Sequence, residues 1–265
     1  MTRRETVTWG LLRGTTLTLV CVFLLAPVAV VAVMSLNSGD SVLRWEGLSL
    51  QWYAAALSSQ PLMSSLFMSL AVAATATAIA GVLGTMLAIG VHRVARGPLL
   101  RALALLPAFV PDIVLGIGTL SLFALFAWKI GFTSVVVAHA AFEIAIVAAF
   151  VLARLGGLDP ALEEASANLG ATRLRTFRRI VLPQLMPSIL AGCALGFSLS
   201  LDEFIIAFFT TAAGSQTLPI QVYSMVRFGV SPEINALATM LLVVTIVIIL
   251  AVQRALLPLI LRRKP

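Results

Sequence analysis

The chain has 265 residues, of which 60% are hydrophobic and 11% are charged, and its formal net charge is +7. Soluble globular domains carry about 25% charged residues, so this composition excludes a soluble domain and indicates a membrane protein. The positive charge does not indicate a nucleic-acid partner, because the Lys and Arg residues lie between apolar runs and form no single face.

Six apolar runs are long enough to cross a bilayer as helices, which takes about 20 residues each. They cover roughly residues 14–36, 62–91, 99–128, 133–153, 188–209 and 236–257. The first follows Arg3 and Arg4, as in a signal peptide, but it exceeds the about 7–15 apolar residues of such a peptide. We therefore predict an all-α, polytopic membrane protein whose residues 1–265 form a single transmembrane domain with six helices.

The basic residues predict the orientation of these helices. All 18 Lys and Arg residues fall on one side of the predicted membrane except Arg44, Lys129 and Arg227. Positive residues mark the cytoplasmic side, so we predict that both termini and the loop 154–187 are cytoplasmic. The loops 37–61 and 210–235 then lie outside. The two cysteines, Cys21 and Cys193, lie inside apolar runs and indicate neither a disulfide nor a metal site.

Four acidic residues fall inside the predicted spans, namely Asp112, Glu143, Asp202 and Glu203. An ionised carboxylate at the bilayer centre costs roughly 2.5–3.5 kcal/mol, so these groups are expected to face protein or a water-filled path. Pro107 and Pro111 precede Asp112 and predict a break in the third helix, with freed carbonyls lining a cavity. Asp202 and Glu203 are neighbours, which places them about 100° apart on a continuous helix, so they are expected not to share one face.

The fourth predicted span carries His139 and Glu143, which share one helix face at a spacing of four residues. Such a pair is typical of interhelical hydrogen bonds, and it is also compatible with a zinc ligand pair or a proton relay. No C-x-x-C or H-E-x-x-H motif supports a metal, and no G-x-S-x-G motif supports a serine nucleophile. We therefore predict no catalytic residue and no metal site.

The longest polar stretch of the chain interior lies in the predicted cytoplasmic loop. Residues 159–183, called the polar segment below, begin with Asp159 and Pro160, which suit the N-cap and first turn of a helix. Gly170 suits the left-handed residue that ends it.

A second short helix is predicted from about Thr172 to Val181, ending before Pro183. Apolar residues recur at spacings of three and four in both helices, and the second helix also carries Arg173, Arg175, Arg178 and Arg179. Such a surface suits a soluble docking partner or anionic lipid heads.

The motif Glu164-Ala165, Gly170, Ile180 and Leu182-Pro183 resembles the "EAA" loop of membrane subunits of binding-protein-dependent ABC importers, with Ser166 where that family usually has Ala. The strings "PDIVLGIG" (111–118), "SLDEFIIAFF" (200–209) and "LPIQVYSMVRFGVSPEINALATMLL" (218–242) are similar to the second permease of spermidine/putrescine importers. The likeness runs from about Ser49 to Gln253.

This resemblance implies a type I (MetI-like) permease fold in the inner membrane of a bacterial cell. It implies assembly with a second, homologous permease subunit, two ATP-binding subunits and a solute-binding protein, and a gating role for the loop 210–235. ATP and Mg²⁺ would be bound by the partner ATPase and no cofactor by this chain, whose only lysines, Lys129 and Lys264, fit no phosphate-binding loop. The residues expected to couple to the ATPase are Glu163, Glu164, Ala165, Ser166, Leu169, Gly170, Ala171, Thr172, Ile180, Leu182 and Pro183.

The resemblance also implies a polyamine substrate, a chain of ammonium groups on methylene stems. A path for such a cation needs carboxylates and aromatic faces. We expect Asp112, Asp202 and Glu203 to supply the charge, and Trp52, Tyr53 and Tyr223 to supply aromatic faces nearer the outer mouth. The alternatives are a permease for another small cation, a metal or an aminophosphonate, and a proton-coupled secondary transporter that uses Asp112, His139 and Glu143.

Overall fold

The computed structural model describes residues 3–41, 44–94, 97–212, 214–229 and 231–261, and most of the described residues are helical. The α-helices are, in chain order, α1 (Arg3–Met34), α2 (Gln51–Ser58), α3 (Gln60–Arg93), α4 (Pro98–Leu105), α5 (Asp112–Leu125), α6 (Phe132–Leu155), α7 (Pro160–Asn168), α8 (Arg173–Thr176), α9 (Leu182–Asp202), α10 (Ile205–Thr210), α11 (Leu218–Phe228) and α12 (Glu233–Leu261). A 3₁₀ turn, Leu106–Ala108, follows α4, and a π-helical turn, Phe177–Val181, joins α8 to α9.

Four of these helical stretches are long and apolar enough to cross a membrane: Arg13–Met34, Gln60–Arg93, Phe132–Leu155 and Arg173–Asp202. A fifth is present if the pair Pro98–Ala108 and Asp112–Leu125, which is bent by 92°, counts as one broken span. The sixth predicted span falls within α12, whose continuous run of described side chains, Glu233–Val247, forms an apolar helix. The all-α fold is therefore confirmed, whereas the number of six spans stays a prediction.

Two compact units divide the chain. The first unit contains residues 1–63 and 222–265, in which α12 packs against α1 and α2. The loop that follows α1 is organised by Asn37, a fully buried side chain that bonds the backbone of Ser41, Arg44 and Glu46 at 3.0, 2.7 and 2.8 Å. These bonds give the loop a fixed course, because a buried amide left unpaired costs free energy.

The second unit, residues 64–221, is built around α6, which contributes side chains to three apolar clusters of this unit. The tightest packing is between α6 and α9. Gly192 of α9 lies so close to α6 that a Cβ there would stand 3.0 Å from the Cα of Val147, and Gly84 of α3 approaches the carbonyl oxygen of Ile144 in the same way. Small residues let membrane helices approach closely, so α3, α6 and α9 form one tightly packed set.

The third predicted span is broken, as its prolines indicated. Helix α4 and its 3₁₀ turn end at Ala108, and α5 begins at Asp112 after Pro111, with a change of direction of 92°. Proline lacks the N–H that an uninterrupted helix would use and its ring disfavours helical backbone in the preceding residue, which explains the break.

The helix that contains most of the fifth predicted span, residues 188–209, begins and ends at other residues than those predicted. Pro183 does not stop the preceding helix: the π-helical turn changes the hydrogen-bond register, so that the N–H of Leu182 bonds the carbonyl of Phe177 and the helix continues to Asp202. At the other end Glu203 is extended, and its carboxylate accepts the N–H of Ile206 at 2.8 Å. A side chain that caps the next helix in this way competes with continued helix, so α10 is a separate element.

Candidate functional site

The first half of the polar segment is a helix with a defined cap at each end. The side chain of Asp159 accepts the N–H of Ala161 at 2.9 Å, and Pro160 occupies the first turn of α7. Gly170 has a φ of +76°, and the bonds from the N–H of Gly170 to Ala167 and from that of Ala171 to Ser166 close the helix end. This is the pattern of a Schellman motif, so the predicted cap and the predicted left-handed glycine are both confirmed.

The two helices of the polar segment are fixed to each other. Thr172 caps α8 by accepting the N–H of Arg175 at 3.3 Å. The hydroxyl groups of Ser166 and Thr176, both buried, are 2.8 Å apart and hydrogen-bonded. Helix α7 also contacts the π-helical turn. The segment is thus a hairpin of ordered helices, and the hydrogen bond between Ser166 and Thr176 links its two halves.

The apolar residues of this hairpin are largely uncovered. Leu162, Leu169 and Leu174 are 45%, 87% and 59% exposed, and all four arginines of the second helix are exposed. The remaining residues expected to couple to an ATPase divide into exposed ones (Glu164, Ala165, Thr172 and Pro183) and half-buried ones (Glu163, Ala171, Ile180 and Leu182). Exposed leucines rimmed by charged residues are typical of a protein interaction site.

A cavity of about 470 Å³ brings together the three acidic residues predicted for the substrate path. Asp112 begins α5 at the break in the third span, Asp202 ends α9, and Glu203 lies between α9 and α10. The rest of the lining is mainly apolar, from Pro107, Ala108, Val110, Phe142, Ile146, Leu199, Phe204 and Ile205. We call this the acidic cavity.

Asp202 and Glu203 line the same cavity, which contradicts the expectation that they point to different faces. That expectation required a continuous helix, and the helix ends at Asp202. Because the helix ends there, the backbone of Glu203 is extended and not helical. One carboxylate oxygen of Glu203 is held by the N–H of Ile206, which orients the side chain at the cavity wall.

The acidic cavity also contains two aromatic rings that the sequence did not single out, Phe142 and Phe204. They come from α6 and from the junction before α10, far apart in the chain. The string "DEF" at 202–204 was the available signal for Phe204, since a ring beside two carboxylates suits a cation on a methylene stem.

The three aromatic residues predicted for the outer mouth belong to the other compact unit. Tyr53 is half-buried, and its hydroxyl bonds that of Ser35 at 2.6 Å. Trp52 is half-buried with its indole Nε1 buried and without a hydrogen-bond partner among the described residues, and Tyr223 is 45% exposed.

His139 and Glu143 are fully buried and join three helices. The Nδ1 atom of His139 lies 2.7 Å from the hydroxyl of Ser200 in α9, and Glu143 accepts a hydrogen bond from Thr77 in α3 at 2.7 Å. Within the described part of the chain, no group of three or more His, Cys, Asp or Glu residues is arranged to hold a metal ion. The geometry is that of interhelical hydrogen bonds.

Comparison with protein families gives a match over nearly the whole chain. Residues 8–262 match the model of "Binding-protein-dependent transport system inner membrane component". The spermidine/putrescine transport system permease protein PotC of Escherichia coli strain K12 is 36% identical over 245 residues, which is 92% of this chain and 93% of that protein. The putrescine transport system permease protein PotI of the same strain is 41% identical over 229 residues, 83% of this chain and 82% of that protein.

Solved structures with the same fold include ABC importers of different cargo. A bacterial alginate ABC transporter, in complex with an alginate pentasaccharide-bound periplasmic protein, has a TM-score of 0.74 at 16% identity, covering 96% of this chain and 95% of that chain. The MetNI methionine ABC transporter in an inward-facing conformation has a TM-score of 0.58 at 19% identity, covering 75% and 97%. The predicted ABC importer permease fold is therefore confirmed.

Replacing Gly170 by alanine is expected to loosen the polar segment, because an L-residue in the left-handed conformation costs about 1–2 kcal/mol. Gly156→Ala is the matched control, since Gly156 ends α6 with a φ of −65° and has room for a Cβ. We expect amide hydrogen exchange in residues 160–171 of the purified protein to accelerate about 5–30-fold for Gly170→Ala only. Equal protection in both variants would contradict the cap geometry.

Proposed function

We propose a function from one premise: the chain belongs to the inner membrane components of binding-protein-dependent transport systems, whose family model it matches from residue 8 to residue 262. It is accordingly a transport subunit, a permease with an ABC importer fold. We propose that its cargo is a polyamine, putrescine or spermidine, delivered by a binding protein outside the inner membrane.

The observation that carries the proposed cargo is the acidic cavity. Three carboxylates from two separate segments of the chain line one space together with two phenylalanine rings and aliphatic side chains. A polyamine offers ammonium groups for the carboxylates and methylene stems for the apolar walls, and cations are attracted to aromatic faces. The names of the relatives PotC and PotI, a spermidine/putrescine and a putrescine permease, agree with this chemistry.

The proposed energy source lies in partner subunits. In this mechanism the chain pairs with a second, homologous permease, and the path for the cargo runs between the two. Two cytoplasmic ATP-binding subunits, which hold ATP and Mg²⁺, each receive the polar segment of one permease. The exposed leucines of that segment support such a docking role.

The proposed cycle is alternating access. ATP-driven closure of the two ATPases pushes the polar segments together and rocks the attached helices toward the outward-facing state, into which the binding protein releases its cargo. ATP hydrolysis then restores the inward-facing state. The excess of Lys and Arg around the polar segment and at both ends of the chain supports a cytoplasmic position for these parts.

Two alternatives make different predictions. A permease for another small cation or an aminophosphonate would use the same partners with another cargo. A proton-coupled secondary transporter would work without an ATPase, and its proposed relay would need Glu143 and His139. Both of these are engaged in bonds to neighbouring helices, which supports a structural role for the pair.

The first test is uptake by proteoliposomes that contain both permeases and the ATPase, with the binding protein outside and ATP inside. We expect labelled putrescine or spermidine to accumulate, and expect no uptake when the ATPase is omitted, even with a proton gradient. Uptake without the ATPase would favour the secondary transporter. If the assembled complex hydrolyses ATP but takes up neither amine, the proposed cargo is refuted.

The second test removes the negative charges of the acidic cavity one at a time, with Asp112→Asn, Asp202→Asn and Glu203→Gln. A hydrogen bond to a charged group contributes roughly 1.5–3 kcal/mol, so the apparent affinity for the cation is expected to fall about tenfold or more. Asp40→Asn, an exposed acid of the loop that follows α1, is the control. If all three cavity variants transport like the control, the acidic cavity does not bind the cargo.

A further inference from the structure

The polar segment has a direct connection to α3, a helix that neither precedes nor follows it in the chain. Arg93, the last residue of α3, donates from Nη2 to both carboxylate oxygens of Glu163 in α7, at 2.8 and 3.0 Å. Seventy residues separate the two partners in sequence. The pair stands beside a cavity of about 660 Å³, to which Asp159, Glu164 and Arg101 also contribute.

Each partner is placed favourably on its own helix. Arg93 lies in the last turn of α3, where a cation is stabilised by the helix dipole, and Glu163 lies in the first turn of α7, where an anion is stabilised. The two side chains are 40% and 37% exposed. Water therefore screens the pair, and its contribution to overall stability is small. The pair matters for which helices it joins and not for how much it stabilises the fold.

The other contacts of α7 connect it to α6 and α9. It follows α6 through the short turn at residues 156–159. It is hydrogen-bonded to α8 and contacts the π-helical turn, and these two continue into α9. The ion pair between Arg93 and Glu163 joins α7 directly to α3.

Helix α3 continues from this contact into the packed interior. Its Ala80, Ala88 and Val91 belong to the same apolar cluster as side chains of α6 and α9, and its Thr77 donates to Glu143. A displacement of the end of α3 is therefore passed to the helices that line the acidic cavity, because close-packed interiors transmit strain.

We propose that Arg93 and Glu163 form a positioning contact that makes α3 move with the polar segment when the ATPases close. This inference rests on the proposed function in that it assumes a docked ATPase, but it does not depend on the identity of the cargo. Without the ion pair, the polar segment still moves α6 and α9, while α3 follows less completely.

The test uses the assembled complex of permeases and ATPases. Cys21 and Cys193 are first replaced by alanine. Spin labels are then attached at exposed positions of α3 and α7, through Met86→Cys and Ala167→Cys. They report the distance between the two helices without nucleotide and with trapped ATP. In the unaltered pair we expect this distance to be the same in both states. In Arg93→Glu and in Glu163→Arg we expect it to broaden and to change with nucleotide. An unchanged distribution in both reversals would overturn the proposal.

Charge exchange provides the second readout. The ratio of uptake to ATP hydrolysis is expected to fall about two- to fivefold in each single reversal, as for loss of an exposed ion pair, and to recover in Arg93→Glu/Glu163→Arg. Arg101→Glu, which alters the same cavity without breaking the pair, is the control. If a reversal prevents assembly, Arg93→Gln and Glu163→Gln replace it. If the double variant Arg93→Glu/Glu163→Arg does not restore the distance distribution, the proposal is overturned. If the unaltered complex takes up no amine, the proposed cargo is overturned, and the distance measurement alone then tests the role of the ion pair.

Discussion

One continuous helical stretch, Arg173–Asp202, physically joins the two candidate sites of this protein, the polar segment and the acidic cavity. Its first turns form half of the polar segment, and its last residue is a wall of the acidic cavity. At 1.5 Å per residue, its 30 residues span about 45 Å. A movement applied at the hairpin therefore reaches the cavity along a single stiff element, and α6, packed along it, must respond.

The hydrocarbon explains where this stiff element ends. Inside a bilayer every backbone N–H and C=O needs a partner within the protein, so an interruption of a spanning helix is tolerated only where it is buried or lines a water-filled cavity. The acidic cavity is bordered by two interruptions, one between α4 and α5 and one between α9 and α10. The same interruptions carry Asp112, Asp202 and Glu203, whose charges need water or a cation. The interrupted helices and the carboxylates therefore both require the same water-accessible cavity.

Local rules predicted much of this from the sequence. Asp159-Pro160 and Gly170 encode the ends of α7 because their conformational preferences act within a few residues, and Pro107 with Pro111 encodes the break of the third span in the same way. Features that depend on distant or competing bonds were missed. Pro183 was expected to end a helix, but the π-helical turn accommodates it. Glu203 was assigned to a helix that its own carboxylate helps to interrupt. Phe142 reaches the acidic cavity, and Arg93 reaches Glu163, only through the packing of helices far apart in the chain.

We infer that the polar segment faces the cytoplasm, where a partner that hydrolyses ATP can push on it. Labelling of single cysteines with a membrane-impermeant maleimide tests it most directly, with Cys21 and Cys193 first replaced by alanine. A cysteine at Asn168, exposed in α7, is compared with one at Ser38 in the loop that follows α1. Our account predicts that the cysteine at 168 is labelled in inverted membrane vesicles and protected in spheroplasts, with the opposite pattern at 38. Labelling of position 168 in intact spheroplasts would place the hairpin outside, beyond the reach of any cytoplasmic ATPase, and would contradict the account.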